Sequence, residues 1–333
     1  MKPFRAVLAA TAVLLALAAC SSGGPAEDPT TTGGGGDVTT AEGTFPVTVT
    51  TAFGDVTVEE QPERIVAIGW GDAEIALALG FQPVGASDWL GFGGEGVGPW
   101  AEGLYDEAPE IIATLEPSFE AIGALEPDLI LDVKSSGDQA RYDRLSQIAT
   151  TVGVPEGGES YLVTMEQQVG LIASALGVPD EGEELLGQVS EAFAAAAEGH
   201  PEWEGQTIAA ATKTSEGWGA YIEGSERVGF LENLGFVQSP EIAALPVGSS
   251  GFSVDLSSEQ LDLLDADLIV AFPIFIETTE ITDDPLWQQI PAVQDGRFVV
   301  LDGDLSSSYS MGGPLSTLYA IDNIVPLIED ATS

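Results

Sequence analysis

The sequence predicts an α/β protein of two lobes, each with a mostly parallel sheet, bridged by one long helix. Three observations predict it. The two halves echo each other: Phe119 to Leu131 (FEAIGALEPDLIL) is answered by Ser258 to Val270 (SEQLDLLDADLIV), which matches Glu120 with Glu259 and Asp128 with Asp267. Upstream, Leu79-Gly-Phe81 is answered by Leu234-Gly-Phe236, and a glycine-rich insert, Gly91 to Asp106, accounts for the longer spacing in the first half. A duplicated supersecondary pattern of this size implies two similar lobes. The second observation is the stretch 179–199 between the halves, and the third is the regular alternation of short apolar runs with amphipathic ones.

The stretch 179–199 has helix start and stop signals. Pro179 suits a first helical position, and Asp180, Glu181, Glu183 and Glu184 place negative charge in the first turns. Leu185, Leu186, Val189, Phe193 and Ala196 share one face, and Gly199-His-Pro201 ends the run. At 1.5 Å per residue the helix is roughly 30 Å long, enough to join two lobes as a stiff strut. Gly182 and Gly187 weaken it intrinsically, by roughly 1 kcal/mol each.

The first lobe, 45–178, is expected to open with a hairpin, Val47–Thr51 and Val56–Val58 around Phe53-Gly-Asp55. Arg64 to Ile68 reads as a buried strand, Asp72 to Leu79 as a helix closed by Gly80, and Pro83 to Ser87 as a strand. After the insert come a helix from Phe119, a strand at Asp128–Val133, a helix at Asp138–Ile148, and the approach to the strut at Val163–Leu176. The second lobe, 200–333, repeats the plan. Strands are expected at Gln206–Thr212, Trp218–Ile222, Asp267–Phe272 and Arg297–Leu301, and helices at Glu226–Leu234, Glu259–Leu264, around Trp287 and at Pro314–Ile328.

Charge bounds the function. The 333 residues hold 9 Lys and Arg against 54 Asp and Glu, a net charge of −45. A polyanionic partner such as nucleic acid would be repelled, and no basic stripe exists to release counterions. Residues 1–19 read as a signal peptide: Lys2 and Arg5 precede an apolar run, Ala6 to Ala19, too short for a comfortable membrane span. Leu17-Ala-Ala-Cys20 resembles a bacterial lipobox, which implies cleavage before Cys20 and its lipidation, with 20–44 as a flexible Ser-, Gly- and Thr-rich tether. The expected location is then the outer face of the cytoplasmic membrane, held by lipid alone. Cys20 is the sole cysteine, so no intrachain disulfide or cysteine metal site is available.

The order of Pro62-Glu-Arg-Ile-Val-Ala-Ile68, Leu79-Gly-Phe81, Phe119-Glu120 with Leu125-Glu-Pro-Asp-Leu-Ile130, and Trp287 with Ile290-Pro-Ala-Val-Gln-Asp-Gly-Arg297 resembles the iron-siderophore and vitamin B12 class (class III) of ABC-importer substrate-binding proteins. The resemblance spans about Phe45 to Ile328. It implies a ligand cleft between two helix-bridged lobes and delivery to a membrane permease with a cytoplasmic ATPase. It also implies permease contact through one acidic residue on each lobe, here Glu120 and Glu259. The repeat places these two carboxylates equivalently, as a two-fold symmetric partner would require; both also simply suit the first turn of a helix. The protein is expected to act as a monomer, with no cofactor of its own and a small iron chelate as ligand.

Residues just beyond the expected strands are the cleft candidates: Trp70, Trp89, Lys134, Lys213, Trp218, Tyr221, Phe272 and Tyr309. Each residue type suits a core as well as a cleft, and Trp218 and Tyr221 equally fit packing within a hairpin. An anionic ferric catecholate or citrate would want an arginine cluster, but beyond residue 19 only Arg64, Arg141, Arg144, Arg227 and Arg297 occur. A neutral or cationic chelate, such as a ferric hydroxamate, fits better. Cobalamin stays open. Histidine-ligated haem would need the sole histidine, His200, and a bare zinc site needs more histidines than the chain has. An enzyme is disfavoured: there is no G-x-S-x-G, S-x-x-K, Walker A or helix-opening G-x-G-x-x-G. A surface lipoprotein without a transport role is the remaining alternative.

Overall fold

The computed structural model describes residues 43–333 other than 114, 159, 249 and 250. The expected signal peptide, Cys20 and the tether up to residue 42 lie outside the described residues. The first elements among the described residues are an antiparallel hairpin, β1 (Val47–Thr51) and β2 (Gly54–Val58), which forms a two-stranded sheet of its own. Val49, Val56 and Val58 alternate with exposed residues and pack onto the N-lobe core.

The N-lobe comprises β3 (Ile65–Ala67), α1 (Asp72–Ala78), β4 (Gly85–Ser87), β5 (Glu110–Ile112), α2 (Phe119–Ala124), β6 (Leu129–Leu131), α3 (Gln139–Leu145) and β7 (Thr150–Val152). Its strands lie in the order β5-β4-β3-β6-β7, all parallel. Both faces of this sheet are covered: Ile65, Ala67, Leu129 and Leu131 belong to one core cluster, and Val66, Ile68 and Ile130 to the other. That is why these strands read as uninterrupted apolar runs.

Helix α4 (Met165–Ala175) starts at a Thr164–Gln167 capping box and leads into the strut, α5 (Pro179–Gly199). Its 21 residues span about 31 Å. Along it, Leu185 joins the N-lobe core while Val189 and Phe193 join the C-lobe core, so one apolar stripe serves both lobes. Gly182 has a packing reason: a Cβ there would stand 2.5 Å from the Ala173 methyl of α4. Gly187 faces open space.

The C-lobe comprises β8 (Thr207–Thr214), β9 (Gly217–Tyr221), α6 (Glu226–Glu232), β10 (Val237–Gln238), α7 (Pro240–Ala243), β11 (Ser253–Leu256), β12 (Leu268–Pro273), α8 (Thr279–Thr282), α9 (Pro291–Gln294), β13 (Phe298–Val300), α10 (Gly303–Met311) and α11 (Pro314–Thr332). The sheet order is β11-β9-β8-β12-β13, with β10 alongside the start of β8. Strands β10, β8, β12 and β13 repeat the parallel pattern of β4, β3, β6 and β7. The departure is β9, antiparallel to both β8 and β11, which inserts a hairpin where the N-lobe passes straight from β3 to α1. The expected helix at Glu259–Leu264 is a 3-10 run, Ser258–Leu264, with Gln260 completing a capping box on Ser257.

The repeat has a chemical cause. Asp128 accepts hydrogen bonds from the backbone N–H of Glu63 and Arg64 (2.8 and 3.0 Å), just before β3. Asp267 accepts one from Thr207 N (2.8 Å) at the start of β8. Each carboxylate pins the first amides of the neighbouring strand, so each lobe needs an Asp before its second central strand. The Thr207 backbone bond, seconded by its hydroxyl, holds the Asp267 carboxyl below the usual range.

Candidate functional site

The cavity between the lobes is assembled from loops that leave the carboxyl ends of the N-lobe strands and from the starts and ends of C-lobe helices. Trp70 follows β3, Trp89 follows β4, Lys134 follows β6 and Tyr161 lies beyond β7; facing them are Arg227 on α6 and Tyr309 on α10. The cavity, open to solvent on one side, has a volume of about 240 Å³.

Buried polar groups set the N-lobe wall. Asp72, fully buried at the start of α1, accepts from Val133 N (2.7 Å) and Gln168 Nε2 (2.7 Å), and Gln168 also donates to the Trp70 carbonyl (2.7 Å). One carboxyl thus fixes both the loop carrying Trp70 and the loop carrying Lys134. Its burial pushes its pKa up to about 6, against the pull of those hydrogen bonds. Gly69 is required here, because a Cβ would stand 2.2 Å from the Asp72 carboxylate. Next to it, Arg141 clasps Asp132 through two bonds, Nε to Oδ2 (2.9 Å) and Nη2 to Oδ1 (2.6 Å), both residues being buried.

Trp70 is sandwiched. Its indole stacks on Trp89 at 4.2 Å and 4°, and Tyr161 covers it at 4.3 Å. Tyr161 holds a left-handed backbone (φ 56°), a strained choice for a bulky residue at a cavity wall. With rings packed against it on both sides, Trp70 keeps its Nε1 buried without a hydrogen-bond partner. The same holds for Nε of Arg227, whose guanidinium lies 4.8 Å over the Tyr221 ring. Two contacts cross the cleft at this point: Lys134 Nζ to Glu226 Oε1 at 2.8 Å, and Trp89 Nε1 to Met311 Sδ at 3.2 Å. Farther out, Trp100 of the glycine-rich insert packs on Tyr319 of α11 and donates to Glu74 Oε2 (2.7 Å).

Of the eight cleft candidates, Trp70, Trp89, Lys134 and Tyr309 line the cavity. The other four do not. Lys213 and Trp218 lie on the opposite face of the C-lobe sheet, both bonded to Asp284 Oδ2 (2.9 and 3.2 Å), with Trp218 stacked on Trp287. Strand alternation decides this: Ala209 and Ala211 of β8 join the outer core cluster while Ile208 and Ala210 join the inner one, so Lys213 falls on the outer side. Tyr221 and Phe272 form an inner buried layer, stacked on each other at 5.8 Å and meeting the Arg227 guanidinium and the Tyr309 ring respectively. Arg227, Glu226, Tyr161, Phe230 and Phe252 were not expected and do line the cavity. Arg227 and Glu226 could have been found from the repeat, since they open the helix that answers Asp72 to Leu79. Glu120 and Glu259 are exposed, each in the first turn behind a capping serine, Ser118 and Ser257. His200, at the end of the strut, stacks on Trp203 and is not among the cavity residues.

Two α/β lobes on a helical strut, with a cavity at the strand ends, define a class of solute-capturing proteins. Residues 65–305 match the periplasmic binding protein family, and the chain belongs to it. It is a binding component of the ABC-importer type and not an enzyme. A periplasmic solute binding protein from Mycobacterium smegmatis superposes with a TM-score of 0.77 at 27% identity, covering 86% of this chain and 99% of that one. PiaA from Streptococcus pneumoniae in complex with ferrichrome gives 0.72 at 26%, covering 86% and 98%. The Fe(3+) dicitrate-binding periplasmic protein FecB of Escherichia coli is 27% identical over 263 residues, 78% of this chain and 83% of that protein.

Proposed function

We propose that this chain is the extracytoplasmic receptor of an ABC importer for a ferric siderophore of the neutral or cationic kind, a hydroxamate. It is held at the membrane by lipid on Cys20, and Glu120 and Glu259 meet the permease. The observation that supports this most is the cavity's chemistry: two buried, unpartnered donors, Trp70 Nε1 and Arg227 Nε, among side chains whose charges carry no positive excess. An unmet buried donor costs about 1–3 kcal/mol, which a ligand oxygen recovers on binding. Against Lys134 and Arg227 stand Glu166, Glu226 and Glu232. A tris-hydroxamate, whose three negative charges balance Fe3+, presents oxygens without net charge.

Relatives of 26% and 27% identity differ in ligand by name, ferrichrome for one crystal complex and ferric dicitrate for FecB, so the local charge carries the assignment here. Haem held by histidine has no donor in this cavity, because His200 lies elsewhere. The test is intrinsic tryptophan fluorescence titrated with ferrichrome, ferric dicitrate, cobalamin and haem. Saturable quenching by ferrichrome is expected, weakened roughly tenfold in Trp70→Phe, which keeps an aromatic ring in the stack and removes one hydrogen bond. Binding of ferric dicitrate or cobalamin alone would overturn the hydroxamate assignment.

A further inference from the structure

We propose that Glu226 is the charge selector of the cleft: it occupies the Lys134 ammonium and sets a carboxylate of its own in the cavity wall, so that anionic chelates are refused. This rests on the ferric-chelate reading above and specifies how that site discriminates.

The geometry is built for the pairing. The Lys134 side chain is 4% exposed and its Nζ lies 2.8 Å from Glu226 Oε1, the one salt bridge among the described residues that joins the two lobes. Glu226 is set in the first turn of α6, behind Ser225, whose hydroxyl accepts from Val228 N. Space for its carboxylate exists because residue 312 is glycine in the left-handed region (φ 67°); a Cβ there would stand 2.6 Å from Glu226 Cδ. Lys134 and Arg227 are the two cations lining the cavity among the described residues, so Glu226 removes one of two positive charges that an anion could use.

A neutral chelate is indifferent to this arrangement. An anionic one has to approach Glu226 with Lys134 already neutralised, and separating the pair leaves the Glu226 carboxylate still facing it. Without the Glu226 charge, a buried ammonium without a counter-ion would be left in the wall, and a bound anion would supply what it lacks. A change of one unit charge within about 4–6 Å of a ligand in a partly desolvated site alters affinity by roughly tenfold or more.

The experiment compares ferrichrome and ferric dicitrate as probes, by fluorescence titration of the wild-type protein, Glu226→Gln and the double variant Lys134→Met/Glu226→Gln. The reading is the ratio of the two dissociation constants. Wild type is expected to prefer ferrichrome. In Glu226→Gln the ratio shifts toward ferric dicitrate by about tenfold or more, and in the double variant the shift disappears because the freed ammonium is gone. Glu226→Ala makes the same charge change and gives the same shift, so a folding defect in one variant leaves the other to decide, with circular dichroism reporting which is folded. An unmoved ratio in a folded Glu226 variant, or a shift that survives in the double variant, overturns the selector role. Wild type that prefers ferric dicitrate, or binds neither probe, overturns the hydroxamate reading and the selector with it, a result distinct from an unmoved ratio.

Discussion

Glu74 controls how the glycine-rich insert is held, and its titration should be visible in the stability of the whole chain. The residue sits in the first turn of α1, 4% exposed, and accepts from Trp100 Nε1 (2.7 Å) and, at 3.4 Å, from Gly98 N. A helix N-terminus favours a carboxylate by about 0.3–1 kcal/mol. Burial outweighs it and the hydrogen bonds, raising the pKa from 4.5 to about 7. Because the folded carboxyl keeps its proton to a higher pH than the unfolded one, the stabilisation is fully present below pH 4.5 and is lost as pH rises through 7. Between about pH 5 and pH 8 this linkage removes roughly 2–3 kcal/mol of unfolding free energy. Glu74→Gln preserves the shape and the Trp100 bond but has no proton to lose. Urea unfolding of both proteins at the two pH values should therefore show the variant gaining on wild type by roughly 2–3 kcal/mol from acid to alkaline conditions. The general repulsion in this acidic chain affects both proteins nearly alike and cancels in the difference. Parallel pH profiles would refute the reasoning, since they would mean that Glu74 titrates in the folded protein as it does in the unfolded chain.

Two glycines of the strut should respond in opposite directions. Gly182→Ala forces a methyl against Ala173 and costs about 1–3 kcal/mol, whereas Gly187→Ala, in open space, stabilises by about 1 kcal/mol; thermal unfolding measures both, and equal signs would contradict the packing described for α4 and α5. Glu120→Lys/Glu259→Lys should abolish uptake of the iron chelate into cells while the affinity of the purified protein stays unchanged, and normal uptake would end the docking proposal. Lys213→Met should leave chelate affinity within twofold of wild type, because Lys213 is bonded to Asp284 on the outer face of the sheet; about a tenfold loss in the same titration would return that side chain to the cleft.

Much of the architecture lies within short windows of sequence. The strut was legible because its proline, its acidic first turns and its apolar face repeat every few residues, and both lobes could be paired because Asp128 and Asp267 do the same backbone work. What the sequence concealed was the side of each element. Lys213 and Trp218 differ from a cleft residue only by one step of strand alternation, and the β8–β9 hairpin that sets that step has no counterpart in the first lobe.

By itself, then, the sequence determined the duplicated α/β plan, the rod between its halves and the strand ends at which ligand-binding loops would gather, because helix period, caps and apolar runs are local properties. Only the tertiary structure decided that Trp70 is stacked between two rings with its Nε1 unmet, that Arg227 holds an unmet donor, and that Lys134 is already paired with a carboxylate from the other lobe. Those facts depend on which side chains meet across 92 residues of chain, and no window of sequence contains them.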